Sequence, residues 1–315
     1  MTRLVLVILI LLVVAVALLM GLRGIVGGGS VCSGDVVGFV APTLMRAVSD
    51  AVAEAGLSGN GLLSIGSVEG LRRMQQGVLP DVYGSVDIEL LRDVERLEPR
   101  QVFILGRFGL GLVCRSPVTS PGELAERAIA LADPNKAPIG YRTLALAWML
   151  KKDDVVDLVS RFEKLGVRYL ETGRGVNITV PAVLTPTGGV QVAANLDAAW
   201  SMVEVGAVDC TFAHRPFIVG RFSGLEKTGE AAAWAVYVGN YGGRTYYVYF
   251  FNGVYAFLDD PPYEIYVRLT SRDGKVLQVV RVAGFEAFVA SFSERGSCVI
   301  DALKKMDLSR YGFIR

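Results

Sequence analysis

Short apolar segments alternate with amphipathic segments through most of the chain. Residues 35–40, 62–65 and 81–84 are apolar runs of strand length, whereas residues 45–55 and 68–76 carry apolar side chains at helical spacing. This order of strand, helix, strand, helix and strand predicts an α/β fold in which a mainly parallel sheet is flanked by helices.

The alternation continues in the second half of the chain. Ser120 followed by Pro121 is typical of a helix start, with the serine as N-cap and the proline at the first helical position. The remaining segments are predicted as strands at 128–132, 207–212, 237–258, 263–270 and 276–282, as helices at 141–151, 196–205 and 285–302, and as irregular structure at 171–189.

The first 30 residues have a different character. Residues 4–20 form a run of 17 residues without a charged or polar side chain, and a glycine-rich spacer at residues 27–30 follows it. Residues 1–30 are therefore predicted to be a signal peptide or an uncleaved membrane anchor, with Leu4 to Met20 as its apolar core. The rest of the chain is expected on the extracellular side of the cell membrane.

Composition excludes several classes of function. The chain has 32 Lys and Arg against 31 Asp and Glu, so it lacks the positive charge by which general nucleic-acid-binding proteins hold phosphate backbones. One histidine and four cysteines at positions 32, 114, 210 and 298 leave no short ligand spacing for zinc or an iron–sulfur cluster. Pairing of these cysteines in an oxidising compartment and their burial as thiols both remain open.

Small hydroxyl residues and glycines lie where predicted strands end and helices begin. Thr43, Ser67 and the turn of residues 138–141 all occupy such positions, which form the usual ligand crevice of an open α/β sheet. The N-terminus of a helix offers unpaired N–H groups and the positive end of the helix dipole. A single Ser or Thr there is usually an N-cap, but the repetition predicts an anion site.

One segment resembles a known family. Residues 132–142 read Ala-Asp-Pro-Asn-Lys-Ala-Pro-Ile-Gly-Tyr-Arg and resemble the Ala/Ser-Asp-Pro-Asn-x-x-Pro-x-Gly-Tyr-Arg motif of archaeal molybdate/tungstate-binding proteins, the extracellular receptors of ABC importers. Residues 39–44, 66–87 and 205–212 resemble further segments of that family in the same order. The tail, from residue 285 to residue 313, is similar to the terminal helix of the family.

The resemblance implies a two-lobed fold of the type 2 periplasmic-binding-protein class, with the ligand in a cleft between the lobes. The first lobe would take residues 31–117 and 220–315, and the second would take residues 118–219. The implied function is that of a monomeric receptor, not an enzyme, which needs no cofactor. It would capture tungstate or molybdate and deliver it to the membrane permease of an ABC importer.

The ligand-binding residues implied by the matched segments are Thr43, Ser67, Asp133, Pro138, Gly140 and Tyr141, with Ser85, Arg142, Ala213 and His214 as further candidates. In the family, two carboxylates approach the metal of the oxyanion, which is the only metal implied. Asp133 matches one of them. The other belongs to a Phe-Glu-Tyr segment that reads Phe212-Ala213-His214 here. Without this second carboxylate, and with positive charge added by His214 or Arg215, the preferred ligand is left open between molybdate or tungstate on one side and sulfate or phosphate on the other.

Two other classes of function compete with this interpretation. In an enzyme, His214 with Asp209 or Asp133 would form an acid/base pair and Ser67 would be the nucleophile, although the chain has no Gly-x-Ser-x-Gly elbow. In a membrane-anchored interaction module that has lost its ligand, the aromatic residues of segment 246–251 would form an adhesive face.

Overall fold

The computed structural model describes residues 32–258, 263–282 and 285–314 of the chain. The predicted export segment from Leu4 to Met20 lies outside these residues. Within the described ranges, none of the helices has the length and apolar character needed to cross a membrane.

The described residues form sixteen strands and ten α-helices. The strands are β1 Asp35–Val40, β2 Ser58–Ser64, β3 Val82–Ser85, β4 Gln101–Arg107, β5 Leu110–Cys114, β6 Ile129–Ala132, β7 Arg168–Thr172, β8 Gly175–Val180, β9 Val190–Ala193, β10 Cys210–His214, β11 Ser223–Glu230, β12 Trp234–Tyr241, β13 Arg244–Phe251, β14 Glu264–Thr270, β15 Val276–Arg281 and β16 Glu286–Ser291. The helices are α1 Met45–Glu54, α2 Ser67–Gln75, α3 Leu91–Glu95, α4 Pro121–Leu124, α5 Pro138–Lys152, α6 Val159–Glu163, α7 Leu196–Val205, α8 Arg215–Arg221, α9 Val254–Phe257 and α10 Glu294–Leu303. Short 3₁₀ turns occupy Pro42–Leu44, Ile88–Leu90 and Leu308–Tyr311.

The first lobe is built on a five-stranded sheet in the order β2-β1-β3-β16-β4. Strand β1 pairs in parallel with both β2 and β3, as the alternating pattern predicts, and β16 pairs antiparallel with β3 and β4. Helix α1 buries Ala47, Val48, Ala51 and Val52, which recur at helical spacing on one face. The carboxyl ends of the parallel strands therefore point towards one edge of the sheet.

The second lobe contains a seven-stranded sheet in the order β11-β12-β13-β5-β10-β6-β9 and a four-stranded sheet in the order β15-β14-β8-β7. Strands β10, β6 and β9 run parallel, and β5, β13, β12 and β11 extend the larger sheet in antiparallel fashion. Helix α5 is buried from Pro138 to Leu150, so it forms part of the core.

The chain passes between the lobes at two adjacent points. The first crossing follows β4 at Phe108, and the second precedes β16 at Phe285. The Phe108 amide donates to the Phe285 carbonyl at 2.9 Å, and the two ring centroids are 5.6 Å apart. These two segments form the hinge of the molecule.

Sheet membership differs from the division into lobes that the sequence predicts. Residues 223–251 were assigned to the first lobe, but their strands pair with β5 in the larger sheet of the second lobe. Strand β5, within predicted lobe 31–117, belongs to that sheet as well. We propose boundaries that follow the sheets, with residues 35–107 and 286–314 in one lobe and residues 110–281 in the other.

Three secondary-structure predictions were wrong. Residues 237–258 were predicted as strand, but they contain the end of β12, all of β13 and the short helix α9. Residues 285–302 were predicted as one helix, but β16 precedes α10, because a short apolar run that is buried on both faces does not distinguish a strand from a helix. Residues 171–189 were predicted to be irregular, yet they contain part of β7 and all of β8. Strand β7 is an exposed edge strand, so it lacks the apolar alternation that would reveal it.

All four cysteines are paired in disulfides, which decides between the two alternatives that the sequence left open. Cys32 is bonded to Cys298 in α10, and Cys114 is bonded to Cys210. The second bond joins residues that stand opposite each other on β5 and β10. Disulfides of this kind are typical of proteins that fold outside the cytosol.

Candidate functional site

Four helical segments begin around one small cavity between the lobes. The space open to the centre of a water-sized sphere is about 10 Å³, which is room for about one water molecule. Its walls are residues 41–43, 66, 67 and 86 of the first lobe and residues 137–139, 196 and 214 of the second. Backbone N–H groups in the first turn of a helix have no acceptor within the helix, so these helix starts place potential hydrogen-bond donors near the cavity.

The first lobe contributes two hydroxyl side chains to the cavity. Thr43 follows Pro42 in the 3₁₀ turn that leads into α1, and Ser67 is the first residue of α2, after Gly66 at the N-cap. The Ser67 hydroxyl oxygen accepts a hydrogen bond from the Val86 amide at 3.2 Å, and Thr43 Oγ1 lies 2.9 Å from His214 Nδ1. Both side chains are buried.

The second lobe contributes the start of α5. Pro138 occupies the first position of the helix, where the missing N–H of proline costs no hydrogen bond. Gly140 lies against the end of β6, and a Cβ atom at this position would stand 2.2 Å from the Ala132 carbonyl oxygen. A glycine is therefore required for the helix to begin this close to the strand.

Asp133 shapes the turn before α5 instead of lining the cavity. Its Oδ1 accepts from the Asn135 amide at 3.0 Å and from Asn135 Nδ2 at 3.2 Å, and its Oδ2 lies 3.6 Å from Lys136 Nζ. The carboxylate is thus committed to the turn that presents residues 136–138.

The sequence analysis missed the contribution of α7. Leu196, the first residue of this helix, lines the cavity, and the Asn195 side chain caps the helix by accepting from the Ala198 amide at 2.9 Å. An N-cap asparagine directly before a predicted helix is a readable signal. The segment was predicted as a helix, but nothing in the sequence indicated that its start faces the other lobe.

The lobes touch at the edge of the cavity. The Glu69 amide of α2 donates to the Lys136 carbonyl at 3.3 Å, and a Cβ atom on Gly66 would stand 2.3 Å from the same oxygen. On the same side of the cleft, the Ser64 hydroxyl donates to the Asp197 carboxylate. The structure is therefore closed, and Gly66 permits the close approach.

His214 is a neutral hydrogen-bonding group. Burial lowers its pKa well below the usual value, and the nearby Arg142 cation lowers the pKa further. Its Nε2 is buried without a hydrogen-bond partner among the described residues. The expectation that His214 adds positive charge is therefore wrong. Arg215 was the other residue expected to add positive charge, and its guanidinium lies over the Phe250 ring, 4.7 Å from the ring centroid.

A buried polar cluster, formed by Asp87 of the first lobe with Tyr141 and Arg142 of the second, lies behind the cavity wall. The Tyr141 hydroxyl donates to Asp87 Oδ2, and an Arg142 nitrogen lies 3.6 Å from Asp87 Oδ1. Burial raises the pKa of the Asp87 carboxyl to about 6, although the Arg142 charge opposes the shift. Asp87 was not among the predicted site residues, yet it ends a segment that carried the family resemblance.

The predicted site residues fall into two groups. Thr43, Ser67, Pro138 and His214 line the cavity. The others lie outside its lining: Ser85 holds the backbone of Asp87, Tyr141 and Arg142 belong to the buried polar cluster, Gly140 and Asp133 shape the start of α5, and Ala213 is buried in β10.

The chemistry of the cavity favours a small anion. In the closed structure the space holds only about one water molecule, so a tetrahedral anion requires the lobes to close less tightly around it. The lining side chains that bear polar atoms, Thr43, Ser67 and His214, are neutral. No carboxylate is present among the lining residues, so nothing in the walls repels negative charge.

Solved structures share this architecture. The periplasmic molybdate-binding protein of Azotobacter vinelandii superposes with a TM-score of 0.50 and 14% identity, over 90% of this chain and 98% of that chain. The chain has the two-lobed fold of a type 2 periplasmic binding protein. At 14% identity, the likeness shows the fold alone.

Other two-lobed binding proteins are more distant. A substrate-binding domain of a putative molybdenum ABC transporter from Clostridium difficile gives a TM-score of 0.44 at 10% identity, over 90% of this chain and 100% of that chain. The sulfate-binding protein of Mycobacterium tuberculosis gives 0.45 at 9% identity, over 89% and 86%. At TM-scores below 0.5, these likenesses support no conclusion. No family model and no curated protein matches the sequence.

The Gly66→Ala variant should fold but fail to close. The backbone of Gly66 is extended, at φ −64° and ψ 141°, so alanine fits locally, whereas its Cβ would meet the Lys136 carbonyl oxygen across the cleft. We expect a larger radius of gyration by small-angle X-ray scattering and a free energy of unfolding within about 1 kcal/mol of the parent. Gly173→Ala, at a position with open space, is the control. Equal radii in all three proteins would contradict this expectation.

The Asp87→Asn variant should change how stability depends on pH. The pKa of Asp87 in the folded protein, about 6, lies above its ordinary value of 3.8, so its stabilising contribution is complete below pH 4 and is lost as pH rises through 6. The parent's advantage over the variant in free energy of unfolding should therefore shrink by about 2 to 3 kcal/mol between pH 4 and pH 7.5. Urea unfolding at four pH values tests this, with the exposed Asp301→Asn as control. An advantage that is constant or grows with pH would contradict it.

Proposed function

We propose that this protein is an extracellular solute-binding protein that captures a tetrahedral oxyanion, molybdate or tungstate, and delivers it to the permease of an ABC importer. The observation that carries the proposal is the convergence of four helix N-termini on one small cavity between two lobes.

Neutral groups suffice to hold a doubly charged anion in this cavity. First-turn amides of α2, α5 and α7 and the hydroxyls of Thr43 and Ser67 supply hydrogen bonds, and each helix presents the positive end of its dipole. Closure removes water, and the lower dielectric constant strengthens every one of these interactions. When the proton of neutral His214 is on Nε2, this buried, unpartnered nitrogen donates to the anion in place of Thr43, whose hydroxyl then donates to Nδ1.

The ligand is a fully deprotonated dianion. Hydrogen phosphate carries a proton that needs an acceptor, and a cavity without a lining carboxylate offers only hydroxyl oxygens and the single His214 imidazole for this purpose. Molybdate, tungstate and sulfate make no such demand. The motif at residues 132–142 supports molybdate or tungstate among the three.

Sulfate is the second candidate. Ala213 replaces the family glutamate, and the Asp133 carboxylate is bound to Asn135 and Lys136 outside the cavity lining. Among the residues that line the cavity, no carboxylate is then placed to expand the coordination of a metal centre. A cavity that works through hydrogen bonds alone would discriminate molybdate from sulfate only by size.

The hydrogen bonds of the site do not support an enzyme. Ser67 is bonded to the Val86 amide, and His214 is bonded to Thr43, whereas the Asp133 carboxylate is bonded to Asn135, so these hydrogen bonds do not form the predicted acid/base pair of His214 with Asp133. The Asp209 carboxylate accepts from the Ala128 amide. The protein of similar fold from Azotobacter vinelandii is a molybdate-binding protein.

An interaction module without a ligand is not favoured either. The adhesive face proposed for segment 246–251 would require exposed aromatic rings, yet Tyr246, Tyr249, Phe250 and Phe251 are buried in the core. Export fits the two disulfides, and anchoring by Leu4 to Met20, a monomeric state and a permease partner are parts of the same proposal.

Removal of one cavity hydroxyl should weaken the binding of molybdate. In Ser67→Ala we expect the dissociation constant to rise about tenfold to hundredfold, because a hydrogen bond to a buried charge is lost. Isothermal titration calorimetry with molybdate, tungstate, sulfate and phosphate measures this. The matched control is Ser120→Ala, which removes the hydroxyl of an exposed N-cap far from the cavity. Parent protein that binds none of the four anions would reject the proposed function.

Loss of the Asp133 carboxylate should weaken the binding of all oxyanions by the same factor. Asp133 holds the turn before α5, so Asp133→Ala loosens the wall for any ligand. Calorimetry with tungstate and with sulfate, on the parent and on the variant, gives the ratio of the two dissociation constants for each anion. A loss for tungstate that is more than tenfold larger than the loss for sulfate would show instead that the carboxylate ligates the metal centre.

A further inference from the structure

The buried polar cluster joins the two lobes. Asp87 follows β3 in the first lobe, whereas Tyr141 and Arg142 belong to α5 in the second. All three side chains are about 1% exposed. Besides the two contacts to Asp87, Arg142 Nη1 donates to the Val86 carbonyl of the first lobe at 2.6 Å. Three polar contacts therefore cross the cleft in a region without water access.

The cluster is also fixed at the hinge. The Arg142 guanidinium lies 4.1 Å from the ring centroid of Phe285 and 5.5 Å from that of Phe108, the two residues at which the chain crosses between the lobes. Asp87 is held on its own side, because it accepts from the Glu89 amide at 3.1 Å and its amide donates to Ser85. Both sides of the contact are thus positioned before the lobes meet.

We propose that Asp87, Tyr141 and Arg142 form a latch that holds the closed state, acting on ligand affinity without touching the ligand. The latch depends on the proposed function only for the identity of the ligand that the closed cleft encloses. When the cleft opens, its two sides separate and water replaces the contacts. When the cleft is closed, loss of one partner leaves a buried charge or hydroxyl unsatisfied, which penalises the closed state alone.

The latch is positioned to control the lifetime of the complex. Its residues lie outside the lining of the closed cavity, behind Val86 and the start of α5, so they do not contact an anion that is enclosed there. Weakening the latch should raise the rate of ligand release and leave the rate of association nearly unchanged. A residue that supports only the fold would not produce this division. A residue that contacts the ligand would also raise the rate of release, but it would not change closure in the absence of ligand.

The first arm of the test measures closure without a ligand. Ser64→Cys with Asp197→Cys places two thiols where the parent side chains form a hydrogen bond across the cleft, and the native cysteines are all in disulfides. A short bifunctional maleimide then traps the closed state of the full chain, even when that state is minor. We expect Tyr141→Phe and Asp87→Asn each to slow trapping about tenfold, and the two together to slow it little more.

The matched control is Tyr249→Phe. Tyr249 is as buried as Tyr141, and its hydroxyl accepts from the Val118 amide within the second lobe. This variant loses a buried tyrosine hydroxyl without changing a contact between lobes. It should trap within twofold of the parent rate.

The second arm measures molybdate kinetics by stopped flow. Tyr141→Phe should release molybdate about tenfold faster, with an association rate within twofold of the parent. Equal trapping rates in parent and latch variants, or equal slowing in Tyr249→Phe, would overturn the latch. Parent protein that binds no oxyanion would reject the proposed function, while the trapping arm would still decide the latch.

Discussion

Backbone N–H groups at the starts of helices need acceptors, and this need organises the centre of the molecule. Four helical segments, which begin near Thr43, Ser67, Pro138 and Leu196, start at the walls of one closed cavity. A buried donor without an acceptor costs about 1–3 kcal/mol, so the closed state favours an occupant that accepts from many directions. A tetrahedral dianion does so with four oxygens. The tight glycines, the neutral His214 and the contacts between lobes all follow from closing such a cavity.

The fold could be predicted from the sequence where local pattern and tertiary pairing agree. Strand β1, helix α1 and strand β3 show clear periodicity, and their parallel pairing follows from their order. The assignment of residues 223–251 failed because sheet membership depends on partners distant in the chain, and no local pattern shows that β13 pairs with β5. The exposed edge strand β7 and the buried strand β16 lack the alternation that identifies a half-buried strand.

The lining of the candidate cavity could be predicted in part. Thr43, Ser67 and Pro138 were readable because strand ends and helix starts have sequence signals, and parallel strands bring those ends together. The family resemblance placed Asp133 in the site, but its carboxylate accepts hydrogen bonds from Asn135 within its own turn. The charge state of His214 and the role of Asp87 depend on burial and on Arg142, which lies in another segment. Such effects arise only after the lobes have packed.

Anomalous X-ray diffraction from crystals grown with tungstate tests most directly whether helix starts hold the anion. At the tungsten absorption edge, we expect one strong peak in the cavity, within hydrogen-bonding reach, through its oxygens, of the Ser67 hydroxyl, the Ile139 amide and His214 Nε2. A peak elsewhere on the molecule, such as in the open groove beside Arg168 and Arg272, or no peak at saturating tungstate, would contradict this assignment.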